Sequence, residues 1–378
     1  MEAVRPGGVY VHVPFCRRKC SYCDFYSIAD LSLAPAFLEA LEIEIRRSRP
    51  GRRVFDSIYI GGGTPSLLAP AEVARILALL FARIRFEPPV EITLEANPGT
   101  LGPRELAGFR AAGVNRLNIG VQSFQDGNLL LLGRMHTADE ARRALTQARA
   151  AGFGNLGIDL IYGLPGQGLA QWRQDLAEAL CFGPEHIACY LLTLEPRTPL
   201  FEAHRSGRFH PAPEGRSAKL FLATSDYLTG RGYRHYEVSN FARTEIHRSR
   251  HNSTYWSYRP YLGFGPAAHS FWPPRRFWNH RSLERYLADL AAGKPPRAGR
   301  EKLTPEQQMT EFIMLGLRTA EGVDVKEFHR RFGVDFEERF GAAAADLRDQ
   351  QLLTLTNGRW AATLRGMLYL NSVTAALL

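Results

Sequence analysis

The chain has 378 residues, 45% of them hydrophobic, enough for one domain of about 200–300 residues and a smaller one beside it. No apolar run reaches the about 18 residues of a membrane-spanning helix, and residues 1–6 carry no apolar secretory segment. The net charge is +9, and only five of the 47 basic residues are Lys. No long basic run is interleaved with aromatics, which speaks against nucleic acid as a partner. The arginine skew reads first as genome composition, and beyond that the arginines suit a carboxylate-bearing ligand or peripheral contact with an anionic membrane surface.

In chain order, Val9-Tyr10-Val11-His12-Val13 alternates as a strand does. It runs into Cys16-Arg-Arg-Lys-Cys20-Ser-Tyr-Cys23, a C-x3-C-x2-C spacing. Residues 33–47 read as an amphipathic helix, and 57–60 as a strand ending in Gly61-Gly62-Gly63-Thr64-Pro65. A helix over 71–84 places Val73, Ile76, Leu77, Leu80 and Ile84 on one face. The third strand, 90–98, carries Glu95; a helix over 103–112 and a strand over 115–122 follow. Thr137 caps the next helix, with Glu140 at the capping-box position. Strand 156–162 stops at Gly163-Leu164-Pro165-Gly166, helix 169–180 follows, and 186–194 is the sixth strand.

Six such units in series predict an α/β fold with a parallel sheet covered by helices. A doubly wound open sheet is the alternative. The clustering of Cys, Gly, Glu95, Gln122 and Asp159 near carboxyl ends of strands favours a partial (β/α)6 barrel. Beyond it, a helix over 218–229 and a strand over 233–238 precede a polar, aromatic segment, 248–278. Residues 293–299, Gly-Lys-Pro-Pro-Arg-Ala-Gly, read as a linker. Thr304-Pro305-Glu306-Gln307 opens a helix, and strands 352–356 and 359–362 turn at Asn357-Gly358. Helices followed by a hairpin predict a small winged-helix-like α+β domain. The expected division is 1–240 for the barrel, 241–300 for an extension and 301–378 for the C-terminal domain.

Three cysteines within eight residues point their thiolates into one small volume, as a multinuclear iron site requires. A cubane with three thiolate ligands leaves its fourth iron open to the amino and carboxylate groups of a small molecule. A zinc site would need a second cysteine pair downstream, and none is present. Reduced thiolates also point to the cytoplasm. Cys181 and Cys189 lie in apolar runs and read as buried free thiols. Gly61-Gly62-Gly63 reads as backbone that a ligand can approach. Glu95 either binds a cation or pairs with an Arg, and Asp159 follows the same logic, with ribose hydroxyls as a further partner. Gln122 and Arg134 are within reach of an adenosine or a carboxylate.

The cysteine spacing at the end of a first strand resembles the signature of radical S-adenosylmethionine (SAM) enzymes. Tyr10-Val-His-Val-Pro-Phe-Cys16, Gly61-Gly-Gly-Thr-Pro65, Asn118-Ile-Gly-Val-Gln122-Ser-Phe and Asp159-Leu-Ile-Tyr-Gly-Leu-Pro165 narrow it. The chain resembles the oxygen-independent coproporphyrinogen III oxidase (HemN-like) family over nearly its whole length. That resemblance implies a [4Fe–4S] cluster on Cys16, Cys20 and Cys23, and SAM beside Tyr10, Gly62, Gly63, Thr64 and Glu95. Tyr22, Gln122, Arg134 and Asp159 match positions that contact a second SAM in the oxidase. Two departures, Phe25 where the oxidase has a further cysteine and only fifteen residues before Cys16, resemble the haem-chaperone branch. So does His251-Asn252-Ser-Thr-Tyr255-Trp256, similar to that branch's HNxxYW haem motif. The resemblance implies haem as cargo, His251 as its axial ligand, and Tyr255 and Trp256 against the ring. Its implied partners are an electron donor for the cluster and haem acceptors, among them membrane respiratory enzymes. Oxidative decarboxylation of coproporphyrinogen III, or radical SAM methyl transfer or cyclisation, are the competing enzyme readings.

Overall fold

The computed structural model describes residues 5–378, so most of residues 1–6, expected to carry no secretory segment, lies outside the described residues. The first half alternates strand and helix as the sequence predicts. The elements are β1 (Gly7–Val13), α1 (Ala34–Arg47), β2 (Val54–Gly62), α2 (Pro70–Arg83), β3 (Arg85–Ala96), α3 (Pro103–Ala111) and β4 (Arg116–Gln122). They continue with α4 (Asp126–Leu131), α5 (Ala138–Ala150), β5 (Leu156–Tyr162), α6 (Leu169–Cys181) and β6 (His186–Leu191). The six strands pair in parallel in chain order, β1 to β6. Thr137 and Glu140 form the expected capping box at α5. Helix α4 has no clear apolar period and is absent from the sequence-based expectation.

The arc does not close on itself. After α7 (Pro199–Arg205) and α8 (Glu214–Thr229), the short antiparallel strands β7 (Arg234–Glu237) and β8 (Asn240–Ala242) extend the sheet beside β6. On the other edge, α9 (Arg250–Trp256) leads into β9 (Tyr261–Phe264), which pairs in parallel with β1. β10 (His269–Trp272), β11 (Arg275–Asn279), α10 (Leu283–Ala291) and β12 (Arg297–Lys302) complete a twelve-stranded sheet. The expected linker at 293–299 is therefore corrected. Its end enters β12, paired antiparallel to β11, and Pro296 accepts a hydrogen bond from the His280 amide. Proline and glycine there shape the entry to an edge strand.

The last part holds α11 (Pro305–Gly316), β13 (Val323–Asp324), α12 (Val325–Phe332), α13 (Phe336–Asp349), β14 (Leu353–Thr356), β15 (Arg359–Ala362), α14 (Leu364–Leu368) and α15 (Leu370–Leu377). Helices followed by a hairpin, with β13 as third strand, give the expected winged-helix-like arrangement. Asn357 and Gly358 both take positive φ at the hairpin turn.

Strand alternation divides the barrel into two faces. Val9, Val11, Val13, Ile58, Ile60, Leu94, Leu117, Ile119, Val121, Ile158 and Leu160 are fully buried and point one way. They pack in one core with Leu41 and Ile45 of α1, Leu77 and Leu80 of α2, Phe109 of α3, Leu145 of α5 and Trp172 of α6. The alternate positions face inward. Cys189 joins the core, but Cys181, expected to be buried, is exposed. It falls at the last residue of α6, where its thiol turns back to the Ala177 carbonyl.

The β9–β11 extension is fastened to α1 by one side chain, Glu44. Its carboxylate accepts hydrogen bonds from the Gly265 amide (2.8 Å), Asn279 Nδ2 (2.6 Å) and Tyr286 Oη (2.7 Å). Burial raises its pKa to about 7, opposed by those three bonds. Asp159 and Glu237 are also raised to about 7 by burial. Each holds in the folded chain a proton that it has lost in the unfolded chain between about pH 4 and 7. Their contribution to stability is full below that window and falls as pH rises through it. Denaturant titrations should show this decline, and Glu44→Gln should reduce its slope. Glu44→Ala, which leaves three donors without an acceptor, should cost about 2 kcal/mol at pH 7.

Candidate functional site at the barrel mouth and interior

The inward face carries the chemistry. β1 contributes Tyr10 and His12, β2 contributes Ser57 and Tyr59, and β3 contributes Thr93 and Glu95. β4 adds Asn118 and Gln122, β5 Asp159 and β6 Tyr190. Glu95, Tyr10, Tyr59 and Asp159 are only half-buried although they sit on central strands, and Tyr190 is 40% exposed. They line open space inside the arc.

Glu95 has no arginine partner among the described residues. Tyr59 Oη donates to one carboxylate oxygen (2.6 Å) and the Gly62 amide to the other (3.1 Å). Its pKa is raised by burial, with those bonds opposing. Asp159 accepts from Asn118 Nδ2 at 2.7 Å. Its own rise to about 7 comes from burial first and the charge of Glu95 second. Two carboxylates thus face one space without an ion-pair partner among the described residues, although the charges of Arg116 and Arg134 act on Asp159. That arrangement accommodates a cationic or hydroxyl-rich guest.

At the carboxyl ends of the strands, the cysteine loop is rooted by backbone bonds. The amides of Gly63 and Thr64 donate to the carbonyls of Val13 and Phe15 (2.8 and 2.7 Å), and Ser21 Oγ donates to Leu132. Tyr22 packs on a second apolar cluster containing Leu132, Ile161, Leu164 and Leu200. All three thiols are free; Cys16 Sγ lies 3.4 Å from Thr64 Oγ1, and Arg134 Nη1 donates to Cys20 Sγ at 3.6 Å. Arg134 also holds the Gly120 carbonyl at 2.8 Å and contacts Tyr22. Gln122, at φ +70°, sits in the left-handed region that few non-glycine residues adopt. Gln122 Oε1 and Arg134 Nε are buried without a partner. The structure therefore brings Tyr22, Gln122 and Arg134 together beside Cys20, while Asp159 lies deeper, nearer Glu95.

The glycine run, expected to let a ligand approach, also answers to the packing of the chain on itself. A Cβ on Gly63 would lie 2.4 Å from the Phe15 carbonyl oxygen, and one on Gly62 2.6 Å from the His12 ring. The close approach is of the protein to itself, where strand β2 passes the root of the cysteine loop.

At the opposite, amino-terminal end of the strands, α9 closes the interior. His251 is 1% exposed. Its Nε2 is bonded to Tyr255 Oη (2.7 Å), and Nδ1 lies 3.5 Å from Ser57 Oγ. Burial lowers its pKa to about 3, so it is neutral. His251, expected as an axial haem ligand, points its imidazole into the barrel with both nitrogens engaged. Asn252 spends its amide on the Ser249 cap (3.2 Å), and Tyr255 packs edge-on against Tyr261. Trp256 lines a cavity of about 260 Å³ with Arg248, Arg250 and Arg259, and its Nε1 is buried without a partner.

Sequence reasoning missed Tyr59, Asn118 and Tyr190. The signal was available: each stands an even number of residues from Gly61, Gln122 or Ala188 on its own strand, hence on the inward face.

Residues 10–179 match the radical SAM superfamily model, and residues 303–369 match the HemN C-terminal domain. Over 98% of its length the chain is 33% identical to 98% of the heme chaperone HemW of Bacillus subtilis. The chain belongs to the HemW family. A second HemW, from Synechocystis, is 37% identical over 84% of this chain and 79% of its own. The mitochondrial radical S-adenosyl methionine domain-containing protein 1 of Bos taurus is 34% identical over 98% of this chain and 87% of its own. Among solved structures, the Escherichia coli coproporphyrinogen III oxidase HemN superposes with a TM-score of 0.84 at 24% identity, covering 99% of this chain and 90% of that one. The HemW-family chain therefore has the HemN fold.

Membership of the radical SAM superfamily implies a [4Fe–4S] cluster and SAM, and the residues present fit both. The three cysteines are unpaired thiols on one loop, with hydroxyl and guanidinium groups beside two of them. Unpartnered Gln122 Oε1 and Arg134 Nε lie next to that loop. No three His, Cys, Asp or Glu side chains among the described residues surround a single ion position. A cubane does not ask for that, because each thiolate ligates its own iron.

The glycine geometry generates a stability test. Gly63→Ala should destabilise the chain by about 1–3 kcal/mol, because the obstructing atom is backbone. Gly127→Ala, with no atom within 4 Å of its added Cβ, should not destabilise it. Paired denaturation curves measure the difference.

Proposed function

We propose that this HemW-family chain is a haem chaperone that binds a [4Fe–4S] cluster and SAM, carries haem as cargo, and delivers it to haem-requiring proteins such as membrane respiratory enzymes. The observation that carries the reading is similarity to HemW proteins along nearly the whole chain, combined with Phe25 in place of the oxidase's further cysteine. Cys16, Cys20 and Cys23 hold the cluster. Tyr10, Gly62, Gly63, Thr64 and Glu95 form the SAM pocket, and Tyr22, Gln122, Arg134 and Asp159 extend it. A bound cluster supplies electrons to SAM and an open iron for its amino and carboxylate groups. Glu95 and Asp159 offer anionic acceptors to the cationic and hydroxyl groups of SAM, and the strand walls limit access of water. An external electron donor serves the cluster, and a thiolate-ligated cluster suits a reducing compartment such as the cytoplasm.

Haem contact falls to the outward side of the motif. Trp256 borders the cavity that Arg248, Arg250 and Arg259 line, whereas Tyr255 turns inward to His251. About 260 Å³ admits the propionate edge of haem and leaves the macrocycle outside. Arg250, held by the Pro89 carbonyl, suits those carboxylates; Arg248 is already paired with Glu245 and Glu321, and Arg259 with Asp56.

Two measurements test this reading. After anaerobic reconstitution, Cys20→Ala should abolish the broad visible absorption of the cluster, and Cys189→Ala should retain it. Equal loss from both defeats the ligand assignment. In parallel, the wild-type chain should retain haem through gel filtration and hand it to an apo-acceptor, while consuming negligible coproporphyrinogen with SAM and reductant. Sustained conversion of coproporphyrinogen would replace the chaperone reading with the oxidase one.

A further inference from the structure

We infer that His251 is a positioning residue of the SAM pocket, holding Tyr10 and Tyr59 from below and, through Tyr59, fixing the carboxylate of Glu95. The inference rests on the SAM reading proposed above, and it gives the first residue of the haem-type motif a task inside the barrel.

The geometry is specific. Helix α9 is anchored before His251 by the Ser249 cap and by Glu91 of β3, whose carboxylate accepts the amides of Arg250 (2.9 Å) and His251 (3.3 Å). This anchoring sends the imidazole between strands β1 and β2. Its ring stacks on Tyr59 at 5.1 Å and on Tyr10 at 6.1 Å, each 26° from parallel. Tyr10 and Tyr59 stack on each other at 6.2 Å, so three rings support one another. Tyr255, one turn along α9, meets the imidazole edge-on at 4.9 Å and bonds its Nε2. Gly8 leaves the space the ring needs: a Cβ there would lie 2.8 Å from Nδ1. The chain of contact continues upward, from the Tyr59 hydroxyl to Glu95 and from Glu95 to the Gly62 amide at the edge of the cysteine loop. A neutral ring at this place adds no charge below Glu95 and leaves its carboxylate free to act on a guest.

Removing the imidazole opens a void under two tyrosines that face open space on their other side. They can then tilt, and Glu95 loses the fixed direction of one of its two donors. The expected loss is in ligand affinity, with the cysteine loop untouched.

The test is calorimetric titration of SAM into the anaerobically reconstituted full chain, comparing wild type with Glu95→Gln, His251→Ala and His251→Phe. Cluster absorption and thermal midpoint are recorded for each. Wild type should bind, and Glu95→Gln should bind more weakly. His251→Ala should weaken SAM about tenfold with cluster absorption intact, and His251→Phe, which restores a flat ring to the stack, should recover most of that loss. The Soret band of added haem should be the same in His251→Ala as in wild type. If both His251 variants bind SAM as wild type does while Glu95→Gln stays weak, the inference falls and the SAM reading stands. If wild type and Glu95→Gln bind alike, the reading of Glu95 falls and the inference with it. A Soret band lost in His251→Ala at unchanged SAM affinity makes His251 a haem ligand and overturns the positioning role. Should His251→Ala fail to assemble, Tyr255→Phe decides. Tyr255→Phe removes only the bond to Nε2, and it should lower SAM affinity by less than tenfold; unchanged SAM affinity in Tyr255→Phe rejects the inference.

Discussion

The constraint on which this structure depends is that a parallel strand has two faces and both must be accounted for. The outer face is handled by apolar packing: aliphatic side chains from all six strands disappear under the helices that connect them. The inner face cannot be handled in the same way, because an arc of six strands that does not close leaves an interior too polar to pack and too deep to be surface. Carboxylates and phenols stand there instead. They are satisfied pairwise, Glu95 by Tyr59 and Gly62, Asp159 by Asn118. Polar groups satisfied by neutral partners are tolerable in the absence of a guest and remain available to one.

The two ends of the interior are closed by different means. At the carboxyl ends, the cysteine loop is pinned by its backbone to β2 and by Ser21 and Arg18 to the loop before α5. At the amino ends, α9 enters as a plug, held by the buried Arg116–Glu91 pair and by the hydrogen bond from Arg116 to the His247 carbonyl. A buried ion pair is a weak source of stability on its own. Here Glu91 also accepts two amides of α9, so its charge fixes where a helix sits. The same device recurs at Glu44, which joins α1 to the added strands. Both are carboxylates serving several backbone or side-chain donors at the meeting point of segments distant in sequence.

What the sequence made legible follows from this layout. Period-two alternation and the βα succession gave the barrel, and cysteine spacing gave the mouth, because both are local properties. Glu95 and Asp159 were recognisable as inward carboxylates from their strand positions, but their partners were not. Tyr59 and Asn118 look like ordinary strand residues until register sets them opposite. Cys181 misled because burial on α6 depends on which side of the last turn a residue falls, a matter of about 100° per residue that an apolar run does not fix. The 293–299 segment misled for a related reason: proline and glycine mark a break, and only pairing with β11 shows that the break leads into a strand.

The motif at 251–256 shows how far a local pattern can stand from its physical role. A histidine followed at the fourth position by tyrosine faces the same side of a helix as that tyrosine, and in this chain that side is the interior. The pattern therefore splits across the helix: His251 and Tyr255 look inward and bond each other, while Trp256 looks toward Arg248, Arg250 and Arg259. The cavity on the outer side and the open interior on the inner side share one seven-residue helix. A displacement of α9 would consequently displace the imidazole under Tyr10 and Tyr59. Linkage makes such coupling reciprocal: whatever tightens the tyrosine stack from above also stabilises the helix packed beneath it.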